Sequence, residues 1–258
     1  MNQFDLTGQV SLVTGASAGG LGYHSALALA EHGSDVYLAD QASRKEDLER
    51  TKAAVEGLGR HAEIGFVDVA DEGAVDAMVT AALDTFGKID VLVHHAGVML
   101  RKDAFEMTLP EWQRIVDINL TGTWLVDRRV AREMVRQKRG KVINTSTLYT
   151  NIVGPLPESA YYASKAGVAN LTRGLALEWG KHNIQVNCVA PGVFYPTQMT
   201  GPLGAQPDRL EWMRQRTFLG RLGNPETDLR GLVVFLATAA SDYVTGQVIF
   251  ADGGWTAW

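Results

Sequence analysis

Tyr161 and Lys165 stand four residues apart in the run Ala160-Tyr161-Tyr162-Ala163-Ser164-Lys165. Apolar residues at Val168, Leu171 and Leu175 continue a helical period, with Ser159 as the predicted N-cap. On such a helix the two side chains share one face, one turn apart. A phenol titrates near ~10, and a fixed ammonium beside it favours the phenolate. A tyrosine so placed takes a proton from an alcohol or returns one to a carbonyl oxygen. The same spacing also describes an ordinary aromatic–cation pair, so its meaning depends on the residues around it.

A second group of residues points to a dinucleotide. Thr14-Gly15-Ala16-Ser17-Ala18-Gly19-Gly20-Leu21-Gly22 lies between an apolar strand and an apolar-periodic helix. Glycines there let the backbone turn tightly and approach a pyrophosphate at the positive end of the helix. Asp40 follows Gly22 by 18 residues, at the end of the next strand. A carboxylate at that position accepts hydrogen bonds from ribose hydroxyls and repels a 2′-phosphate, which favours NAD over NADP. Arg44 and Lys45 keep NADP open as an alternative. Asn119 is a polar residue in an apolar helical stretch, where its amide must find partners or hold a water in a proton path. His94 and His95 are adjacent on a strand and point to opposite faces, so a structural role is expected and no metal site.

The elements that must position these residues alternate. Strand patterns are read at 10–14, 35–40, 62–69, 91–95, 141–146, 185–190 and 248–251, with helical patterns between most of them. Ser43-Arg44-Lys45-Glu46 and Thr108-Leu109-Pro110-Glu111 have the form of capping boxes and predict helix starts. The order implies an α/β fold: a doubly wound parallel sheet of about seven strands, with helices on both faces. No repeat or linker divides the chain, so one domain spanning residues 1–258 is expected.

Composition narrows the class of function. The 258 residues are 46% hydrophobic and 21% charged, with a net charge of −5. No basic run stands out beyond Arg136-Gln137-Lys138-Arg139, which reads as a solvated helix end, so nucleic-acid binding is not expected. The single cysteine, Cys188, lies in an apolar run and excludes an internal disulfide or a cysteine-rich metal site. The N-terminal residues carry no apolar signal core, and no stretch reaches membrane-spanning length. A cytoplasmic protein without membrane partners is expected.

With the glycine turn, Asn119 and the Tyr161/Lys165 pair in this order, the chain resembles the short-chain dehydrogenase/reductase family. The resemblance extends through Val186-Asn187-Cys188-Val189-Ala190-Pro191-Gly192 to Asp252-Gly253-Gly254. It implies a Rossmann-like sheet, a nicotinamide cofactor and a homotetramer or homodimer. It also implies that Tyr161 is the general acid/base, that Lys165 lowers the Tyr161 pKa and binds the nicotinamide ribose, and that Asn119 supports a proton relay. Gly15, Ser17, Gly19, Gly20, Leu21 and Gly22 would cradle the cofactor, Asp40 its adenosine ribose, and Asp68 with Val69 the adenine. His95, Ala96 and Gly97 would border it, and Pro191, Gly192, Val193 and Thr197 would flank the nicotinamide.

Four departures from the family pattern stand out. The glycine turn, usually TGxxxGxG, is one residue longer. His94-His95 replaces Asn-Asn, and Pro196 is inserted before Thr197. The catalytic serine position falls on Thr147 in Asn144-Thr145-Ser146-Thr147, with Ser146 as the alternative. A threonine hydroxyl donates and accepts as serine does, although β-branching restricts its rotamers.

The segment 193–216, rich in Gly and Pro, reads as a substrate lid and resembles that of gluconate 5-dehydrogenases. The expected reaction is NAD-dependent hydride transfer to or from a secondary alcohol or ketone. A polyol or sugar acid is the favoured substrate, with Arg101, Arg209 or Arg214 meeting a carboxylate. The alternatives are NADPH-dependent reduction of a hydrophobic ketone or 3-oxoacyl substrate, and an inactive dinucleotide-binding regulator on the same scaffold.

Overall fold

The computed structural model describes residues 2–258. Seven parallel strands make one sheet: β1 (Val10–Thr14), β2 (Asp35–Asp40), β3 (Ala62–Phe66), β4 (Val91–His94), β5 (Gly140–Thr145), β6 (Ile184–Pro191) and β7 (Val248–Ala251). Their spatial order is β3-β2-β1-β4-β5-β6-β7. The direction of winding reverses between β1 and β4, which opens a crevice at the carboxyl ends of those strands.

The helices are α1 (Leu21–Glu31), α2 (Lys45–Gly57), α3 (Glu72–Phe86), α4 (Leu109–Val116), α5 (Gly122–Gln137), α6 (Ser159–Trp179), α7 (Pro207–Gln215) and α8 (Arg230–Ala237). Adjacent residues of a strand serve opposite faces. Leu12 and Leu92 join Val79, Val126 and Leu175 under α3, α5 and α6. Val13 and Val93 join Leu29, Leu48 and Val233 under α1, α2 and α8. Every residue of β5 and β6 is buried, as expected for central strands covered on both faces. No helix among the described residues is long and apolar enough to cross a membrane.

Three local expectations shift. The strand read at 62–69 ends at Phe66, and Val67 and Val69 stay buried in the loop that follows. Helix α6 begins at Ser159 itself, with Glu158 as its N-cap. At the predicted Ser43 start the chain makes a short 3₁₀ turn, and α2 begins only at Lys45 without a side-chain cap. The Thr108–Glu111 capping box forms as read and starts α4.

A buried polar row crosses the sheet beneath the crevice. Thr14 pairs in register with His94, His94 with Asn144, and Asn144 with Cys188. Asn144 Nδ2 donates to Asp127 Oδ2 at 2.7 Å and to Thr172 Oγ1 at 3.2 Å, while Asp127 Oδ1 has no partner. Burial pushes the Asp127 carboxyl up to about 7, against the opposing Asn144 bond. A carboxyl raised in the folded state contributes stability that is full below its ordinary value of 3.8 and lost as pH rises through about 7. Asp127→Asn therefore gains on wild type as pH increases. The difference in Tm is expected to move in the variant's favour by on the order of 5 °C between pH 5 and 8 in thermal melts. A pH-independent difference would show that Asp127 does not titrate in this range.

Candidate active site

Helix α6 carries Tyr161 and Lys165 to the end of β5, where both are buried. Lys165 Nζ donates to the Thr145 carbonyl at 2.8 Å. Burial holds its ammonium down, to about 8. The Tyr161 phenol moves the other way: burial pushes it up to about 12, and the Thr147 hydroxyl beside it is the group that opposes the rise. The expected lowering by Lys165 is not present in this structure, because the ammonium is directed at the Thr145 carbonyl and desolvation of the phenolate dominates.

The two hydroxyls that follow β5 have different duties. Ser146 Oγ donates to the Lys165 carbonyl at 2.7 Å and also bonds the Thr150 hydroxyl, which fastens the loop to α6. Thr147 Oγ1 accepts only a long bond from Tyr149 N, 3.5 Å, and faces Tyr161.

Asn119 sits in a π-helical turn, Asp117–Thr121, between α4 and α5. A single π turn inside a long helix widens it locally and is common at functional sites. The amide is fully engaged: Nδ2 donates to Val98 O at 2.9 Å and Ser164 Oγ at 3.0 Å, and Oδ1 accepts from Val98 N at 2.8 Å. Asn119 thus ties the loop after β4 to α6. Gly97 lies between these groups; a Cβ there would stand 3.2 Å from both Lys165 Nζ and Asn119 Oδ1.

His95 bridges α1 and β5. Its Nε2 bonds Ser25 Oγ of α1 at 2.8 Å and its Nδ1 bonds Thr145 Oγ1 of β5 at 2.9 Å. Burial, reinforced by the Lys165 charge, holds His95 down to about 3, and His94 likewise, so both rings are neutral. Among the described residues no cluster of three His, Cys, Asp or Glu side chains gathers for a metal.

The cleft encloses about 550 Å³. Gly15, Gly20, Leu21 and Gly22 line its glycine-turn wall, with Asp40 beyond. Asp40 is fixed by two backbone donors, Ser17 N to Oδ2 at 3.2 Å and Gln41 N to Oδ1 at 2.8 Å. Ser17 Oγ is buried beside this carboxylate and has no partner. Val69, His95, Ala96, Gly97, Tyr161 and Lys165 continue the lining, and Pro191, Gly192 and Thr197 close it. Gly19 stands outside this wall, against Gln198. Asp68 also lies off the wall, paired with Arg114 at 3.1 Å, and Val193 faces a neighbouring cavity of about 290 Å³.

Val67, Val98, Met99 and Ile118, which the sequence did not assign to the site, also line the cleft, together with Phe194, Gln198, Met199 and Thr200 of the segment read as the lid. Most are apolar residues of loops, and apolar type without period carries no positional signal.

A parallel sheet that reverses its winding at β1/β4, a glycine turn at the crevice and a buried tyrosine–lysine pair facing it define a dinucleotide-dependent oxidoreductase. The comparisons agree. A family model described as enoyl-(acyl carrier protein) reductase matches residues 15–256. The 2-dehydro-3-deoxy-D-gluconate 5-dehydrogenase of Dickeya dadantii is 39% identical over 258 residues, 100% of this chain and 99% of that protein. The gluconate 5-dehydrogenase of Gluconobacter oxydans is 37% identical, covering 98% and 96%. A gluconate 5-dehydrogenase from Burkholderia cenocepacia, solved with NADP and tartrate, superposes with a TM-score of 0.92 at 32% identity, covering 100% and 98%. The chain belongs to the short-chain dehydrogenase/reductase family, and is an NAD(P)-dependent oxidoreductase of CH–OH groups.

Proposed function

We propose that the chain interconverts a secondary alcohol of a polyol or sugar acid with its ketone, using NAD in preference to NADP. The carrying observation is the convergence of Tyr161, Thr147 and Lys165 at one end of a cleft whose other end holds the Asp40 carboxylate. The relatives named for gluconate and 2-dehydro-3-deoxygluconate chemistry support the sugar-acid class.

The residues present fit a nicotinamide dinucleotide. The orphaned Ser17 hydroxyl beside Asp40 is a hydrogen-bonding group awaiting a partner, and the bare Cα of Gly97 leaves room beside Lys165 Nζ. Gly15, Ser17, Gly20, Leu21 and Gly22 would hold the pyrophosphate half. Asp40 would hold the adenosine ribose, Val69 would border the adenine, and Lys165 would bind the nicotinamide ribose. His95, Ala96, Gly97, Pro191, Gly192 and Thr197 would border the nicotinamide half. The bound cofactor supplies hydride acceptance or donation.

The proton belongs to the protein. In reduction Tyr161, held as a phenol by burial, gives its proton to the substrate oxygen; in oxidation its phenolate takes the hydroxyl proton. Thr147 Oγ1 donates to the same oxygen as negative charge develops there. Lys165, charged below about pH 8 and anchored by the Thr145 carbonyl, would bind the nicotinamide ribose, and Asn119 positions α6 against the loop after β4. Residues 193–216 act as the lid of a single domain.

None of the three arginines expected to meet a substrate carboxylate lines the cleft: Arg101 is bonded to the buried Glu158 at 2.7 Å and Arg214 to Glu211 at 3.3 Å. Arg209, on α7 within the lid segment, has no side-chain partner among the described residues and is the cation we assign to a substrate carboxylate reached when the lid closes. A homotetramer or homodimer in the cytoplasm completes the reading. The exposed Leu109 and Trp124, on α4 and α5, support association through that face.

A second reading has its own support. The matching family model is described for acyl-carrier-protein chemistry, and Val98, Met99, Phe194 and Met199 give the cleft apolar walls. Absorbance at 340 nm decides between them. Gluconate-type sugar acids reducing NAD is the expected result; turnover confined to 3-oxoacyl substrates with NADPH would overturn it.

Cofactor choice is tested at Asp40. Asp40→Ser removes the carboxylate that repels a 2′-phosphate and leaves Arg44 in the same wall. The ratio of kcat/KM for NAD over NADP is expected to fall by about 10–100-fold, in line with the loss of one charged contact. An unchanged ratio would place discrimination elsewhere.

A further inference from the structure

Two walls of the cleft are joined directly to each other. Gln198, in the segment after β6, donates from its backbone N–H to the Gly19 carbonyl at 3.0 Å. Its side-chain Nε2 donates to the Ala18 carbonyl. The side chain lies across Gly19: a Cβ there would stand 3.4 Å from Gln198 Cγ and 3.6 Å from Nε2. Gly19 has φ +85°, a conformation open to glycine at no steric cost, and this turns its carbonyl and that of Ala18 toward the segment.

The segment is braced to hold that position. Thr197 and Thr200 exchange side-chain and backbone hydrogen bonds, and Thr200 Oγ1 donates to Phe194 O at 2.7 Å. Thr197, Gln198 and Met199 line the same cleft as Gly15, Gly20 and Gly22. The two points of contact are the two places where the chain is longer than its family's pattern, the glycine turn and the stretch containing Pro196.

We propose that Gln198 is a clasp that closes the cleft over the dinucleotide by fastening the lid to the glycine turn, and so slows cofactor release. The proposal rests on the reading of the cleft as a dinucleotide site. A ligand held in the cleft leaves only after both hydrogen bonds open, because they span the two walls. Gly19 then serves as the docking point of the lid, in keeping with its place outside the glycine-turn wall. Gln198 is a positioning residue, not a catalytic one.

The test is stopped-flow displacement of NADH, followed by its fluorescence, from wild type, Gln198→Met and Gln198→Glu. Methionine keeps the length of the side chain and removes the donor; glutamate sets a carboxylate against the Ala18 carbonyl. The dissociation rate constant is expected to rise about 2- to 10-fold for Gln198→Met and further for Gln198→Glu, without a fall in the association rate constant. Trypsin should also cut the free Gln198→Met protein faster than wild type within 193–216, at Arg209 or Arg214. A purely structural loss would lower association or binding capacity instead. NADH dissociation equal in all three proteins would overturn the clasp. Failure of wild type itself to bind NADH would overturn the dinucleotide reading on which it rests.

Discussion

Tyr161→Phe lowers turnover by about 10²–10⁴-fold while NADH binding persists. The substitution removes one oxygen from a ring that is 8% exposed, so packing in helix α6 is retained and the proton carrier is lost. Direction of reaction should matter. Burial holds the phenol up at about 12, so at neutral pH wild-type Tyr161 is protonated and poised to donate to a ketone. Oxidation needs the phenolate and should accelerate as pH rises; reduction should not. Steady-state rates of the variant in both directions, with fluorescence titration of NADH, separate loss of chemistry from loss of binding. Retained turnover in Tyr161→Phe would assign the proton transfer to another group.

Gly22→Ala weakens cofactor binding and lowers stability. A Cβ at Gly22 would lie 2.2 Å from the Gly15 carbonyl oxygen and 2.8 Å from its carbon. Both are backbone atoms of the turn that opens the crevice, so relief requires moving the start of α1 or the end of β1. Overpacking of this kind costs about 1–3 kcal/mol, and the displacement falls on the glycine-turn wall of the cleft. The expected outcome is a fall in NADH affinity of at least about 10-fold with a Tm lower by several degrees. Unaltered NADH binding in Gly22→Ala would show that the turn does not cradle the cofactor.

The fold was legible because two periods repeat along the chain. Strand runs at 10–14, 35–40 and 248–251 match the observed strands residue for residue, and the Thr108–Glu111 box starts α4 as read. Caps set by tertiary contacts were less so. Glu158 takes the N-cap of α6 while its carboxylate pairs with Arg101, a long-range partner that local sequence does not reveal. At the site, the sequence separated Thr147 from Ser146 only by alignment, whereas Ser146 is engaged by the Lys165 carbonyl across 19 residues. The direction of the Tyr161 shift was missed for a related reason. Spacing places an ammonium one turn away, but burial and the competing Thr145 carbonyl depend on packing. The sequence placed Gln198 only within the lid segment and not against the glycine turn, since its Ala18 partner lies 180 residues earlier.

The central claim is that this cleft binds a nicotinamide dinucleotide with Asp40 at its adenosine ribose. The most direct measurement is a parallel fluorescence titration of the purified protein with NADH and with NADPH. Saturable binding of both is expected, with NADH tighter, because the Asp40 carboxylate, held by Ser17 N and Gln41 N, would repel a 2′-phosphate on the ribose it is proposed to hold. Tighter NADPH would contradict the assignment of Asp40. Binding of neither would contradict the account as a whole.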